Sequence, residues 1–297
     1  EDLVGQLKSN PTGLLTAIAP TLSGADFAMV NLETSLGTTG TKVPKAFNFQ
    51  VPPQAIDALK AAGVDAVSMA NNHGMDYGAV GLQDSLAIRA SSGFPILGIG
   101  QNDTEAYAPL ITEIKGQRLG VIAASDVFDA ALVSSWTAAP DQPGIASAEA
   151  DHLQRLVQEV QTTRPKVDTL VVYLHFGTEK QTCPNARQKE VVDALLAAGV
   201  DIVIGSHPHR LQGVGYQGKK LVAYSMSNFI FRGPSSESRK TGVLMVTATG
   251  QQIDGFEWKP ATLQGNVPVL LSGSASQAGL TEMAQRRDCA GLTEAPT

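Results

Sequence analysis

The sequence predicts an α/β fold of two packed mixed β-sheets flanked by helices. Three observations carry that reading. Strand-like and helix-like apolar patterns alternate as far as about residue 205 of the 297, the order that βαβ units and a mainly parallel sheet produce. Beyond that point short strands follow one another across glycine turns with no helix between them, as in antiparallel sheet. Finally, Ala61-Ala62-Gly63-Val64-Asp65 recurs as Ala197-Ala198-Gly199-Val200-Asp201, each copy leading into an apolar strand. A looser copy begins at Val167-Asp168.

In chain order, residues 26–32 read as a strand. Residues 53–62 read as a helix, with Pro near its start and Gly63 just past its end. A strand at 64–70, a helix at 81–90 and a short strand at 94–98 follow. Residues 109–114 and 118–124 are strands around a hairpin turn at Lys115-Gly116-Gln117. A helix over 148–163 leads to a strand at 169–175, and a helix over 186–198 leads to a strand at 200–205. Short strands at 211–216, 220–224, 242–249 and 253–259 complete the pattern. Residues 1–271 are expected to form the domain. Residues 272–297, rich in Ser, Gly, Ala and Gln, are expected as a C-terminal tail.

Composition narrows the function classes. Hydrophobic residues make up 43% and charged ones 17%, the balance of a globular chain with a real core. The formal net charge of −6 leaves no basic stripe for nucleic acid, and that class is set aside. An anionic substrate would need a locally positive site, which bound metal ions can supply. No apolar run approaches the ~20 residues that cross a bilayer. Cys183 precedes a proline in a polar loop and Cys289 lies in the polar tail. Free cysteine usually enjoys apolar burial, and neither place offers it. A bridge from tail to body is the better reading, and it implies an oxidising compartment. The expected location is extracellular or cell-surface, with a leader or anchor upstream of Glu1.

Four of the five histidines, His73, His175, His207 and His209, fall just past the C-terminal ends of expected strands. That edge is where open α/β sheets bind ligands. One strand-end histidine is ordinary; four together point to a site. His152, on the polar start of a helix, reads as surface. Glu33 ends the first strand within Asn31-Leu32-Glu33, and Asn72 precedes His73. Imidazole mixed with carboxylate and amide oxygen suits Mn, Fe or Zn.

These motifs have a family resemblance. Asn-Leu-Glu (31–33), Ala-Asn-Asn-His-Gly-Met-Asp-Tyr-Gly (70–78), His-Phe-Gly-Thr-Glu (175–179), Gly-Ser-His-Pro-His (205–209) and Ser-Asn-Phe (227–229) resemble the successive motifs of the CapA family of poly-γ-glutamate capsule synthesis. The Asn-His and Gly-x-His-x-His elements also resemble the calcineurin-like metallophosphoesterases. The resemblance implies a four-layer αββα, metallophosphatase-like fold with two divalent metal ions. It implies Glu33 as the bridging carboxylate, Asn72, His175 and His207 on one metal, and His209 on the other. His73 is implied as a substrate-facing imidazole that assists the leaving group.

The family pattern also opens on a Gly-Asp turn that binds the first metal, and none precedes Glu33. Either that turn lies upstream of Glu1, or the site is reduced to half. Retention of the other motifs favours the first.

Asp76 is a candidate to orient an imidazole, although Asp before Tyr-Gly is also turn chemistry. Glu179 is a candidate substrate contact or a loop acceptor. Asn228 reads as a residue that holds the loops. Gly98-Ile99-Gly100 opens no helix suited to a dinucleotide. No serine sits in a nucleophile elbow and neither cysteine adjoins a histidine, so covalent catalysis is not expected. The implied function is a CapA-like protein of poly-γ-glutamate capsule or envelope-polymer assembly, hydrolysing or transferring at a phosphoryl or acyl centre. Its expected partners are an anionic polymer and membrane-bound capsule synthesis proteins. The alternative is a non-catalytic accessory subunit that uses the old site to hold a polymer.

Overall fold

The recurring Val-Asp pairs have a common physical role. Asp65 accepts the backbone N–H of Ala28 through Oδ2 (2.8 Å) while its own N–H bonds the Ala28 carbonyl. Asp201 does the same with Leu170 (2.8 Å through Oδ2), and Asp168 with Arg118 (2.7 Å). Each aspartate therefore stands at the start of one strand and clamps the backbone of its neighbour, fixing register where pairing begins. Asp201 is fully buried and holds Arg164 and Lys220 as ion-pair partners. The half-buried Asp168 carboxyl lies below the usual range, chiefly through its hydrogen bond from the Arg118 guanidinium.

The computed structural model describes residues 3–297. They divide into two units, one of residues 3–110 with 122–159 and the other of Ile111–Val121 with Val160–Thr297. In the first unit, β1 (Met29–Asn31), β2 (Ala66–Ser68) and β3 (Ile96–Leu97) form a parallel sheet in that order. β2 is buried along its whole length, as central parallel strands are. Helix α1 (Gln54–Ala61) buries Ala55, Ile56, Ala58 and Leu59 on one stripe. It stops at Gly63, whose φ of +80° suits glycine and where a Cβ would strike Ser23. Helix α2 (Gly78–Ser92) buries Leu82 and Leu86 and ends on Gly93.

The second unit carries most of a six-stranded mixed sheet. Its strands are β4 (Leu110–Ile114), β5 (Gln117–Ser125), β6 (Thr169–His175), β7 (Ile202–Ser206), β8 (Val214–Gln217) and β9 (Lys220–Ala223). They lie in the order β8-β9-β7-β6-β5-β4. Lys115 and Gly116 both have positive φ between β4 and β5, the backbone of a two-residue hairpin loop. Helix α4 (Ala186–Ala197), which follows α3 (His152–Thr163), opens on a capping box between Asn185 and Gln188.

A second, antiparallel sheet of β10 (Lys240–Thr249), β11 (Gln252–Gln264) and β12 (Val267–Leu270) follows. Ile253 and Trp258 of that sheet join Ile202, Val214, Tyr216 and Leu221 of the six-stranded one in a shared core. The fold is mixed α/β with several sheets and helices, as expected.

Residues 272–297 depart from the expected tail. They carry α5 (Gly273–Ala290), whose Met283 enters that core, and Thr293 pairs through its backbone with Tyr216. The apolar stripe is too thin to read, because Met283 and Ala290 are the residues the helix buries. Cys289 on this helix is bonded to Cys183, with Cα atoms 5.7 Å apart. No described helix is long and apolar enough to cross a membrane.

One buried hydroxyl gives a stability test. Tyr107 is 1% exposed, donates to the Ser147 carbonyl (2.7 Å) and accepts the Ser147 N–H (3.0 Å). Burial pushes its hydroxyl up to about 12. Tyr107→Phe is expected to cost about 1–3 kcal/mol in urea unfolding, because both Ser147 groups lose their partner. A raised tyrosine pKa favours the neutral ring in the fold. Its contribution is complete below about pH 10, the unfolded value, and is lost as pH rises through about 12. The wild type should therefore lose stability across that window, and Tyr107→Phe should lose less.

Candidate metal centre

In the second unit, parallel pairing of β6 with β7 sets His175 opposite Ser206, so both strands end together. His207 and His209 follow directly. His175 Nδ1 lies 3.0 Å from Ser206 Oγ, which turns its Nε2 toward His207 Nδ1 at 3.1 Å. Both rings are buried, with His175 1% and His207 8% exposed.

His207 has φ of 100° and His209 φ of 52°, a costly backbone for residues with a Cβ. Strain of this kind gathers where a fold holds side chains for a task. His209 Nδ1 is 2.7 Å from Asn228 Oδ1, and Asn228 Nδ2 donates to the Ser238 carbonyl (2.8 Å). The network assigns the proton to His209 Nδ1 and leaves Nε2 for a ligand, the usual outer support of a metal-binding imidazole. Phe231 stacks on the His209 ring at 4.8 Å.

These imidazoles fit a divalent ion. Two nitrogens at about 2.0–2.1 Å from one tetrahedral Zn lie roughly 3.3 Å apart. The observed 3.1 Å separation of His175 and His207 matches that spacing. It also matches an N–H···N hydrogen bond between neutral rings, which a cation would replace.

In the first unit, the ends of β1 and β2 carry the other candidates. Asn31 Nδ2 donates to Glu33 Oε2 (3.1 Å), and Asn71 Nδ2 donates to both Asn31 Oδ1 and the Leu32 carbonyl (3.0 Å each). Asn71 Oδ1 in turn accepts the His73 N–H at 3.0 Å. Asn71 is fully buried, and it ties the Glu33 turn to the His73 turn. His73 Nδ1 lies 2.6 Å from Asp76 Oδ2, which also accepts the Phe49 N–H at 2.7 Å. Asp76 is fully buried, so its charge is spent inside the protein on His73 and on Lys45 Nζ, 3.0 Å from Oδ1. Asn72 is half-buried beside them, its carbonyl accepting from Lys45.

Within its own unit, then, each strand-end motif converges on a local cluster. Glu179 is exposed on the loop after β6, and His152 is exposed on α3. Sequence reasoning did not single out Asn71, Ser206 or Lys45. Asn71 stood in plain view inside the 70–78 motif. Ser206 follows from register with His175. Lys45 had no local signal.

The chain matches the family described as bacterial capsule synthesis protein PGA_cap over residues 3–233. It is 28% identical over 219 residues to the capsule biosynthesis protein CapA of Bacillus anthracis, covering 72% of this chain and 52% of that one. It is 24% identical over 254 residues to the PGA biosynthesis protein CapA of Bacillus subtilis (strain 168), covering 84% and 65%. The chain thus spans about half to two-thirds of the length of these relatives. Among solved structures, a hypothetical protein from Thermus thermophilus superposes with a TM-score of 0.54 at 14% identity, over 89% of this chain and 96% of that one. That likeness is one of fold.

Proposed function

The chain belongs to the PGA_cap family of bacterial capsule synthesis proteins, and on that premise we propose that it is a metal-dependent, hydrolase-type protein of poly-γ-glutamate or related envelope-polymer assembly. The observation that carries the reading is the pair of buried imidazoles, His175 and His207, 3.1 Å apart at the ends of adjacent parallel strands. His175 and His207 supply two imidazole nitrogens to a metal ion within one unit. We assign Glu33, Asn72, His175, His207 and His209 as the residues that hold two divalent ions, Mn, Fe or Zn. When bound, such ions polarise a phosphoryl or acyl oxygen and lower the pKa of water.

The protein's own residues do the rest. Asp76 accepts from His73 Nδ1 and orients the ring, so that Nε2 addresses the leaving oxygen. In its doubly protonated form His73 donates its Nε2 proton there, which leaves the neutral ring protonated at Nδ1 toward Asp76, and the bond from the His73 N–H to Asn71 holds the turn. Glu179, exposed on the loop after His175, is the proposed contact for substrate. An anionic polymer is the substrate class, and membrane-bound synthesis proteins are the proposed partners. The Cys183–Cys289 bridge supports maturation outside the reducing cytosol, at the cell surface or beyond.

The test is hydrolysis of a phosphomonoester and of a γ-glutamyl peptide with and without added Mn or Zn. His73→Ala should slow metal-dependent turnover by about 10²–10⁴-fold with metal content unchanged. Metal loss on that substitution would make His73 a ligand and overturn its role. A protein that holds a γ-glutamyl polymer but turns nothing over would favour the accessory reading.

A further inference from the structure

Lys45 lies in the irregular segment between Leu36 and Gln50, far in sequence from the histidines, yet its side chain is only 6% exposed. Its ammonium reaches Asp76 Oδ1 (3.0 Å), Asp129 Oδ2 (3.1 Å) and the Asn72 carbonyl, and sits 5.1 Å over the Trp136 ring. Burying an ammonium is costly unless such partners surround it. The segment around it is tied to the same turn. The Val43 N–H bonds the Asp76 carbonyl (3.0 Å), and the Phe49 N–H bonds Asp76 Oδ2 (2.7 Å). Phe49 also lays its ring against His73, 4.5 Å between centroids.

The Asp76 carboxylate is thus engaged at both oxygens, Oδ2 by hydrogen bonds and Oδ1 by an ion pair that lacks hydrogen-bond geometry. Oδ1 faces Lys45, while Oδ2 faces His73 Nδ1 and the Phe49 N–H. A carboxylate gripped on one oxygen alone can rotate about its bond to Cβ. Gripped on both, it presents a fixed acceptor to the imidazole. We infer that Lys45 is a positioning residue for His73: its ammonium fixes the Asp76 carboxylate and the Asn72 carbonyl, and so holds His73 in the tautomer protonated at Nδ1 with Nε2 outward. The inference deepens the proposed function, on which the catalytic meaning of that tautomer rests.

The test uses ¹⁵N-histidine-labelled, metal-free full chain at alkaline pH, where neutral imidazole tautomers give distinct ring-nitrogen shifts. His73→Asn identifies the His73 signals. The wild type should show the single Nδ1–H pattern. Lys45→Met should lose it to a tautomer mixture, and Lys45→Arg, whose guanidinium can hold the same carboxylate, should restore it. If Lys45→Met does not fold, Lys45→Gln carries the comparison with the same expectation. A folded Lys45→Met or Lys45→Gln that keeps the wild-type pattern overturns the inference. Because no metal or substrate enters the measurement, a protein that proves to bind no metal would sink the proposed function and leave this result standing.

Discussion

His207→Ala is expected to weaken divalent-metal binding by more than about 100-fold. Outer-shell changes alone usually cost about 10–100-fold, and His207 is assigned as a ligand. The backbone supports that assignment, because a φ of 100° is an expensive way to place a ring that has no task. His175 Nε2 already faces His207 Nδ1, so loss of one ring leaves the other without its counterpart. Asn228→Ala provides the graded comparison. It removes the acceptor for His209 Nδ1 and should fall within the range of about 10–100-fold. Equilibrium dialysis with Mn and Zn measures both. Equal affinity in wild type and His207→Ala would remove the imidazole pair from the site.

Loss of the Cys183–Cys289 bridge should produce the largest change in stability. The two cysteines are 106 residues apart in sequence, a long loop to close. The chain-entropy model gives about 4–5 kcal/mol for such a loop, as an upper guide. The bridge also has something to hold. It joins the loop after His175 to α5, whose Met283 is part of the second unit's core. Gln212 donates to the Cys183 carbonyl (3.1 Å), and Gln188 donates to Gln212, so the same loop is anchored to α4. The double Cys→Ser variant should unfold at clearly lower denaturant, and reductant should shift the wild type toward it. A wild type indifferent to reductant, or two titratable thiols before reduction, would contradict the expectation.

Much of this architecture was legible because its causes are local. The strand at Thr169–His175 and the helix at Ala186–Ala197 stand where apolar pattern, proline and glycine put them. The Val-Asp echo was visible as a repeat, and its meaning emerged once each aspartate was seen clamping a neighbouring strand. The strand-end histidines were legible for the same reason. What escaped was set by contacts distant in sequence. Asn71 and Asn72 are the same residue type side by side, and only the fold shows Asn71 turned inward to Asn31. Lys45 acquires its role from a loop closing onto Asp76, 31 positions later in the chain. Helix α5 has almost no apolar stripe, and beside Met283 it is tied down by the disulfide, by ion pairs of Glu282 with Lys240 and Arg286 with Glu237, and by Arg287 donating to the Val214 carbonyl.

The central claim is that Glu33, Asn72, His175, His207 and His209 hold metal. Anomalous diffraction from crystals grown with Mn or Zn, recorded on both sides of the metal's absorption edge, tests it most directly. The account expects a peak about 2.0–2.1 Å from imidazole nitrogens of His175 and His207. A metal-loaded crystal with no peak there, and with the two imidazoles hydrogen-bonded to each other, would contradict it.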